Sequence, residues 1–375
     1  MSENSWQNKS YGEYFESLGK QLNKSQESIK TARTDTIRAG SSKNKRRRKG
    51  LYMVLRVRKS VWAVAFAVLA VIAGIILISG SGKAKTQISK PSSPQAVAEE
   101  KVEKVTKISY YSNESTVDIP AENDAKTAII IDKSNNTVVA ERKAHERTFP
   151  ASTTKIMTLL VAAENLKDME DTFTMTYEIT DPLFTAEASV AGFLDGEQVK
   201  VKDLFYGTAL PSGADAAVGL AIKTAGSEEE FVKLMNAKVT ELGLENTHFA
   251  NVTGLHDEQN YSSAYDMAII LDTALQNELC KEILSTYQYT TAKTPQNPDG
   301  ILLSNTIFEY MYGTEPETAT ILGGKTGYVG ESGYCIASYG KCNQNGNEYI
   351  VVTLGNSSRW PAFHGQIDLY KEFAK

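Results

Sequence analysis

The sequence predicts a mixed α/β domain of the α+β kind: an antiparallel sheet flanked by helices, with a helical subdomain, preceded by a single transmembrane helix. Three observations carry this. Residues 61–78, "VWAVAFAVLAVIAGIILI", are apolar throughout, and no charge appears until Lys83. Strand-like stretches stand at both ends of residues 127–375, with helical patterns between them. Terminal strands of that kind meet in one sheet and leave the intervening helices to pack on it. Finally, residues 1–60 carry 15 Lys/Arg against 5 Asp/Glu, leaving −15 on the rest of a chain whose net charge is −5. A basic head on an acidic body points to two environments and away from a nucleic-acid binder.

Taken in order, residues 1–60 are rich in Ser, Lys, Asn, Gln and Arg and read as a mostly disordered cytoplasmic tail. The segment 61–82 is the expected transmembrane helix, roughly as long as a bilayer core is thick. The basic stretches "KNKRRRKG" and "RVRKS" just before it place that side in the cytoplasm. A cleaved signal peptide is the competing reading, but its apolar region and charged leader are shorter. Residues 83–126, with "KPSSPQ" and "AEEKVEKVTK", read as an extracellular linker. The folded domain is expected over 127–375. Its first strands are "TAIIID" and "TVVAER", joined by the turn "KSNN". Helices are expected at 152–166, near 201–210, at 227–242 with Ser227 and Glu230 as a capping box, and over "SSAYDMAIILDTALQN". A strand around Lys325, then "GYCIASYGK" and "EYIVVTLGN", and a closing helix "WPAFHGQIDLYKEFA" complete it. Cys335 and Cys342 lie seven residues apart on one expected strand, about 23 Å apart and on opposite faces. They cannot be bridged.

Three short motifs carry chemistry. Ser152 and Lys155 in "FPASTTKIMTLLVAAENL" are spaced to share a helix face. A serine hydroxyl attacks an acyl carbon only with an adjacent base. A buried lysine beside a second cation loses its proton more easily and can be that base. "LPSGADAAVG" places Ser212 in a loop between helical stretches, and "ILGGKTGYVG" places Lys325, Thr326 and Gly327 on a strand. Each motif alone reads more readily as ordinary structure: a helix start, a capping loop, a strand edge beside glycines.

Their order, Ser-x-x-Lys, then Ser-Gly, then Lys-Thr-Gly, is the layout of penicillin-binding proteins and serine β-lactamases. The surrounding stretches "PASTTKIMTLLVA", "LFYGTALPSGADAA", "NTHFANVTGLHDEQNYSSAYDMA" and "GGKTGYVGESGYC" resemble the D-alanyl-D-alanine carboxypeptidases of the S11 serine peptidase family, the low-molecular-mass penicillin-binding proteins. The resemblance covers about residues 125–358 and implies a β-lactamase/transpeptidase-like fold. It implies as substrate peptidoglycan stem peptides ending in D-Ala–D-Ala, β-lactams as covalent inhibitors, and no cofactor. Carried over by position, Ser152 would be the acylated nucleophile, Lys155 its general base and Ser212 a proton relay. Lys325 and Thr326 would bind the terminal carboxylate, with Gly327 beside them, and Lys325 would help keep Lys155 neutral. The backbone N–H groups of Ser152 and Tyr328 would form an oxyanion hole, worth roughly 2.7–4 kcal/mol per donor in a comparable enzyme.

One departure stands out. The family usually has Asn where this chain has Ala214, losing an amide that ordinarily bonds the substrate and the active-site lysine. Two alternatives follow: a catalytically impaired peptidoglycan-binding scaffold of the same fold, or a β-lactamase. The latter is disfavoured, since no Glu-x-x-Leu-Asn segment is present. The four histidines, His145, His248, His256 and His364, form no ligand pair, so no metal is expected. The spacing of a phosphate-binding loop is absent, and the basic cluster at 45–49 is explained by topology beside the apolar run.

Overall fold

The computed structural model describes residues 108–311, 314 and 316–375. The expected cytoplasmic tail, the apolar run and most of the linker lie outside the described residues. Among the described residues, no helix is long and apolar enough to cross a membrane.

Six strands form the main sheet: β1 (Val117–Asp118), β2 (Thr127–Asp132), β3 (Thr137–Arg142), and the last three strands of the chain. With two small two-stranded sheets pairing β4 (Thr172–Thr174) with β5 (Gln198–Lys200) and β6 (Gln288–Thr290) with β7 (Leu302–Ser304), those last strands are β8 (Ala319–Val329), β9 (Gly333–Cys342) and β10 (Glu348–Asn356). Their spatial order is β1-β3-β2-β10-β9-β8. The first and last parts of the domain therefore meet at β2 and β10, paired antiparallel from Thr127 with Leu354 to Asp132 with Tyr349.

Both faces of the sheet are covered, which explains the unbroken apolar run of β2. Ile129 and Ile131 enter the larger core with Ile350 and Val352, while Ala128 and Ile130 enter the smaller one with Val351. A strand buried on both sides has no polar face to alternate with. On one side lies the helical layer: α1 (Lys155–Asn165), α2 (Tyr177–Thr185), α3 (Val201–Ala209), α4 (Ala214–Ala225), α5 (Glu228–Leu242), α6 (Ala264–Gln276) and α7 (Glu278–Ser285). On the other lie α8 (Thr306–Met311) and the closing helix α9 (Arg359–Phe373), which buries Ala362, Phe363, Leu369 and Tyr370. Cys335 belongs to the first core and Cys342 to the second, so β9 holds them on opposite faces; Cys280, Cys335 and Cys342 are all free.

Two expectations need correction. Only half of the capping box forms: the Ser227 hydroxyl accepts the Glu230 N–H at 3.1 Å, but the Glu230 carboxylate turns outward to Lys233 at 2.7 Å. The domain also begins before residue 127. Tyr110 and Ile119 are buried, and β1 pairs in parallel with β3. The Arg142 guanidinium donates to the carbonyls of Ile119, Asn123 and Ala125. This stretch reads as linker because its apolar anchors are isolated among polar residues, with no period to detect.

Tyr110 fastens this entry segment. Its hydroxyl donates to Asp272 Oδ2 on α6 at 2.6 Å, and Lys133 Nζ lies 2.9 Å from the other oxygen. Burial and then the neighbouring Asp272 carboxylate push the phenol far above its ordinary value. Tyr110→Phe removes a hydrogen bond to a buried charged group and is expected to cost about 1.5–3 kcal/mol, read from the urea-unfolding midpoint.

Candidate active site

The chain enters the site through Pro150 and Ala151, whose φ of +48° is a strained conformation for a residue with a side chain. Ala151–Thr154 form a single tight 3₁₀ turn, and α1 proper starts at Lys155. In such a turn side chains three apart eclipse one another, which brings them closer than an α-helix would. Lys155 Nζ accordingly lies 2.9 Å from Ser152 Oγ.

The loop that follows α5 in the chain contacts this pair. Lys155 Nζ also donates to the Thr253 carbonyl at 2.6 Å, and Ser152 Oγ lies 3.3 Å from the same oxygen. Asn251 shapes the loop, its side-chain oxygen accepting the N–H groups of Thr253 at 3.2 Å and Gly254 at 2.7 Å. Gly254 has φ +77°, and a Cβ there would stand 1.9 Å from the Ala151 carbonyl oxygen. No other residue fits.

Strand β8 approaches from the opposite side. A Cβ on Gly327 would lie 2.6 Å from the Ser152 nitrogen and 3.0 Å from that of Thr153. Bare backbone at Gly327 therefore lets the strand run against the nucleophile turn, with Tyr328 next along. Lys325 and Gly327 share one face of β8, while Thr326 and Tyr328 share the other. Thr326 Oγ1 is 2.6 Å from Thr306 Oγ1 at the start of α8.

Electrostatics follow from this packing. Lys155 is 2% exposed, and burial lowers its pKa to about 7, against a smaller opposing pull from the Asp215 charge. Lys325 is 0% exposed, and its Nζ donates to the Thr326 carbonyl at 2.8 Å. Burial, and then repulsion from Lys155, hold it far below the ordinary ammonium range. Burial removes the water that would solvate the charged form, so the neutral amine gains.

The third wall is the loop between α3 and α4. Ser212 sits there with φ +65°, and among the described residues its hydroxyl has no hydrogen-bond partner. Ala214 opens α4 and donates its N–H to the Ser189 carbonyl at 2.8 Å. The Asp215 carboxylate is taken up by the N–H groups of Ala191 at 2.7 Å, Gly192 at 3.0 Å and Phe193 at 3.2 Å, so it does not replace the missing amide at Ala214.

Together these walls enclose a cavity of about 760 Å³. Ser152, Lys155, Ser212, Thr326, Gly327 and Tyr328 all line it. Lys325 does not; it is fully buried and meets the site through Lys155. Two contributors are not apparent from sequence. The Thr253 carbonyl is a backbone group, for which the only local signal is the turn composition of "NVTG". Arg359, at the start of α9, also lines the cavity, its guanidinium 4.7 Å from the centre of the Tyr310 ring. It has no ion pair among the described residues, and nothing in "SSRWPAF" announces it. His256 reaches the cavity wall as well, packed edge-on against Phe149.

Comparison with known proteins agrees with this geometry. The family model described as D-alanyl-D-alanine carboxypeptidase, peptidase S11, matches residues 113–358. The chain is 36% identical to D-alanyl-D-alanine carboxypeptidase DacF of Bacillus subtilis over 257 residues, 67% of this chain but only 62% of that protein. The crystal structure of the Streptomyces K15 DD-transpeptidase superposes with a TM-score of 0.58 at 28% identity, covering 66% of this chain and 97% of that one. Penicillin binding protein 5 of Haemophilus influenzae gives a TM-score of 0.58 at 29% identity, covering 68% and 71%. The chain belongs to the S11 family of D-alanyl-D-alanine carboxypeptidases.

Proposed function

We propose that this protein is a serine-type D-Ala–D-Ala carboxypeptidase that removes the terminal D-alanine from peptidoglycan stem peptides through an acyl-enzyme. The observation that carries the reading is the Lys155 amine, buried, 2.9 Å from the Ser152 hydroxyl and with a pKa of about 7. Neutral Lys155 takes the Ser152 proton as the oxygen attacks the penultimate D-Ala carbonyl. The oxyanion is received by the N–H groups of Ser152 and Tyr328; the close approach of Gly327 to the Ser152 nitrogen supports this assignment. Ser212 relays the proton to the departing amine, and D-alanine leaves. Water then hydrolyses the ester, restoring Ser152. β-Lactams would acylate the same oxygen.

The terminal carboxylate needs a cation that keeps its charge. Lys325 is buried with its pKa held down, whereas the Arg359 guanidinium faces the cavity. Arg359 and Thr326 therefore hold the carboxylate in this reading. Ala214 offers the substrate no side-chain hydrogen bond, so turnover rests on the remaining groups. The apolar run at 61–78 and the basic stretches before it support a membrane anchor, with a cytoplasmic N-terminus and the catalytic domain outside.

Two measurements test the reading. Ser152→Ala is expected to abolish both covalent labelling by a fluorescent penicillin and release of D-alanine from a pentapeptide. Folded wild-type protein that takes no label would leave only a scaffold role. The acylation rate should also report Lys155. Protonation removes its ability to accept, so labelling is expected to be level above about pH 8 and to fall about tenfold per unit below about pH 6. A rate that does not change between pH 5 and 9 contradicts the assignment of Lys155 as base.

A further inference from the structure

The cavity carries opposite charges on opposite walls. Arg359 stands with the sheet and α8, while Glu187 follows α2 on the helical wall. Glu187 is held in place by its backbone. It has φ +52°, its N–H donates to Phe184 O at 3.1 Å, and the N–H of Ala188 donates to Leu183 O at 3.0 Å. Downstream, the same loop is fastened by the Asp215 carboxylate and by the bond from Ala214 to Ser189. Yet the Glu187 side chain is exposed and has no hydrogen bond or ion pair among the described residues. A carboxylate fixed at the lip of a binding cavity, without a partner of its own, is suited to a cation on the ligand.

A second cavity, of about 820 Å³, opens on the other side of the same residues. Glu187 and Ala188 line both, and Phe184, Val190 and Leu194 add apolar surface, with Phe184 83% exposed. This combination suits an aliphatic chain ending in a positive charge.

We infer that Glu187 is a specificity-determining residue whose carboxylate pairs with an ammonium group on the side chain preceding D-Ala–D-Ala in the donor peptide. The aliphatic part of that side chain lies along Ala188, and the terminal carboxylate goes to Arg359. The preferred substrates are thus D-Ala–D-Ala peptides with a free amino group on the adjoining residue. Glu331, the other cavity carboxylate, sits in the β8–β9 turn on the Arg359 side and does not serve this group. The inference rests on the carboxypeptidase reading for its substrate.

The test uses the full chain in detergent and two peptides, Nα-acetyl-L-lysyl-D-alanyl-D-alanine and its Nα,Nε-diacetyl counterpart. The ratio of their kcat/KM values for D-alanine release is expected to be about threefold to fivefold in favour of the free amine, as suits a solvent-exposed ion pair. It should shrink at high salt. Glu187→Gln, which keeps the same backbone preference, should bring the ratio to about one, and Glu331→Gln should preserve it. A wild-type ratio of one, or a preference that survives Glu187→Gln or is lost only in Glu331→Gln, overturns the inference. If neither peptide is cleaved, the carboxypeptidase reading fails, and calorimetric binding to Ser152→Ala decides the matter. Tighter binding of the free amine that disappears on adding Glu187→Gln upholds the ion pair. Equal binding, or none, overturns it.

Discussion

Everything at the site depends on one amine being kept out of water. A lysine in solution holds its proton at neutral pH and cannot accept another. Here the Lys155 nitrogen is enclosed by the Ser152 hydroxyl, the Thr253 carbonyl and the body of the protein, so its charged form loses hydration that the surrounding oxygens replace only in part. Lys325, also fully buried on β8, is held down by its own burial and then by repulsion from Lys155. A group poised near neutrality is the most effective base at neutral pH.

That enclosure requires three chain segments to meet at closer range than side chains permit. The nucleophile turn, the loop around Gly254 and the strand around Gly327 all converge on the backbone of Ala151 and Ser152. Each contact is made against bare backbone, and a single methyl group at either glycine would push the walls apart. The sheet supplies the rigidity. Strands β8 to β10 run for nine to eleven residues with cores on both sides, so the edge that carries Lys325, Thr326 and Gly327 cannot drift from α1 without opening both cores. Asp215 plays the corresponding part on the helical wall, joining the loop after α2 to the loop that carries Ser212.

The sheet was legible because long apolar strands and turn-forming residues leave strong local signals. β10 and the turn before it fall where the composition puts them, and so do β2, β3 and the closing helix. The short pieces were not. Pro182 lies inside α2, which conceals that helix, and the entry segment is anchored by single residues such as Tyr110 and Ile119. In the site, the motif spacings place Ser152, Lys155, Ser212 and Thr326 on one cavity. Spacing does not reveal which lysine faces solvent. Lys325 is buried and does not line the cavity, while Arg359, which no motif marks, does, because burial is a property of the packed fold. The Thr253 carbonyl was invisible for a simpler reason: every residue has one.

The most direct measurement is a nitrogen-15 NMR titration of the lysine side chains in the intact protein, with the Lys155 signal assigned by its loss in Lys155→Arg. The account predicts that this amine changes protonation near pH 7, more than three units below an ordinary lysine. A Lys155 signal that stays that of an ammonium up to pH 10 would contradict it.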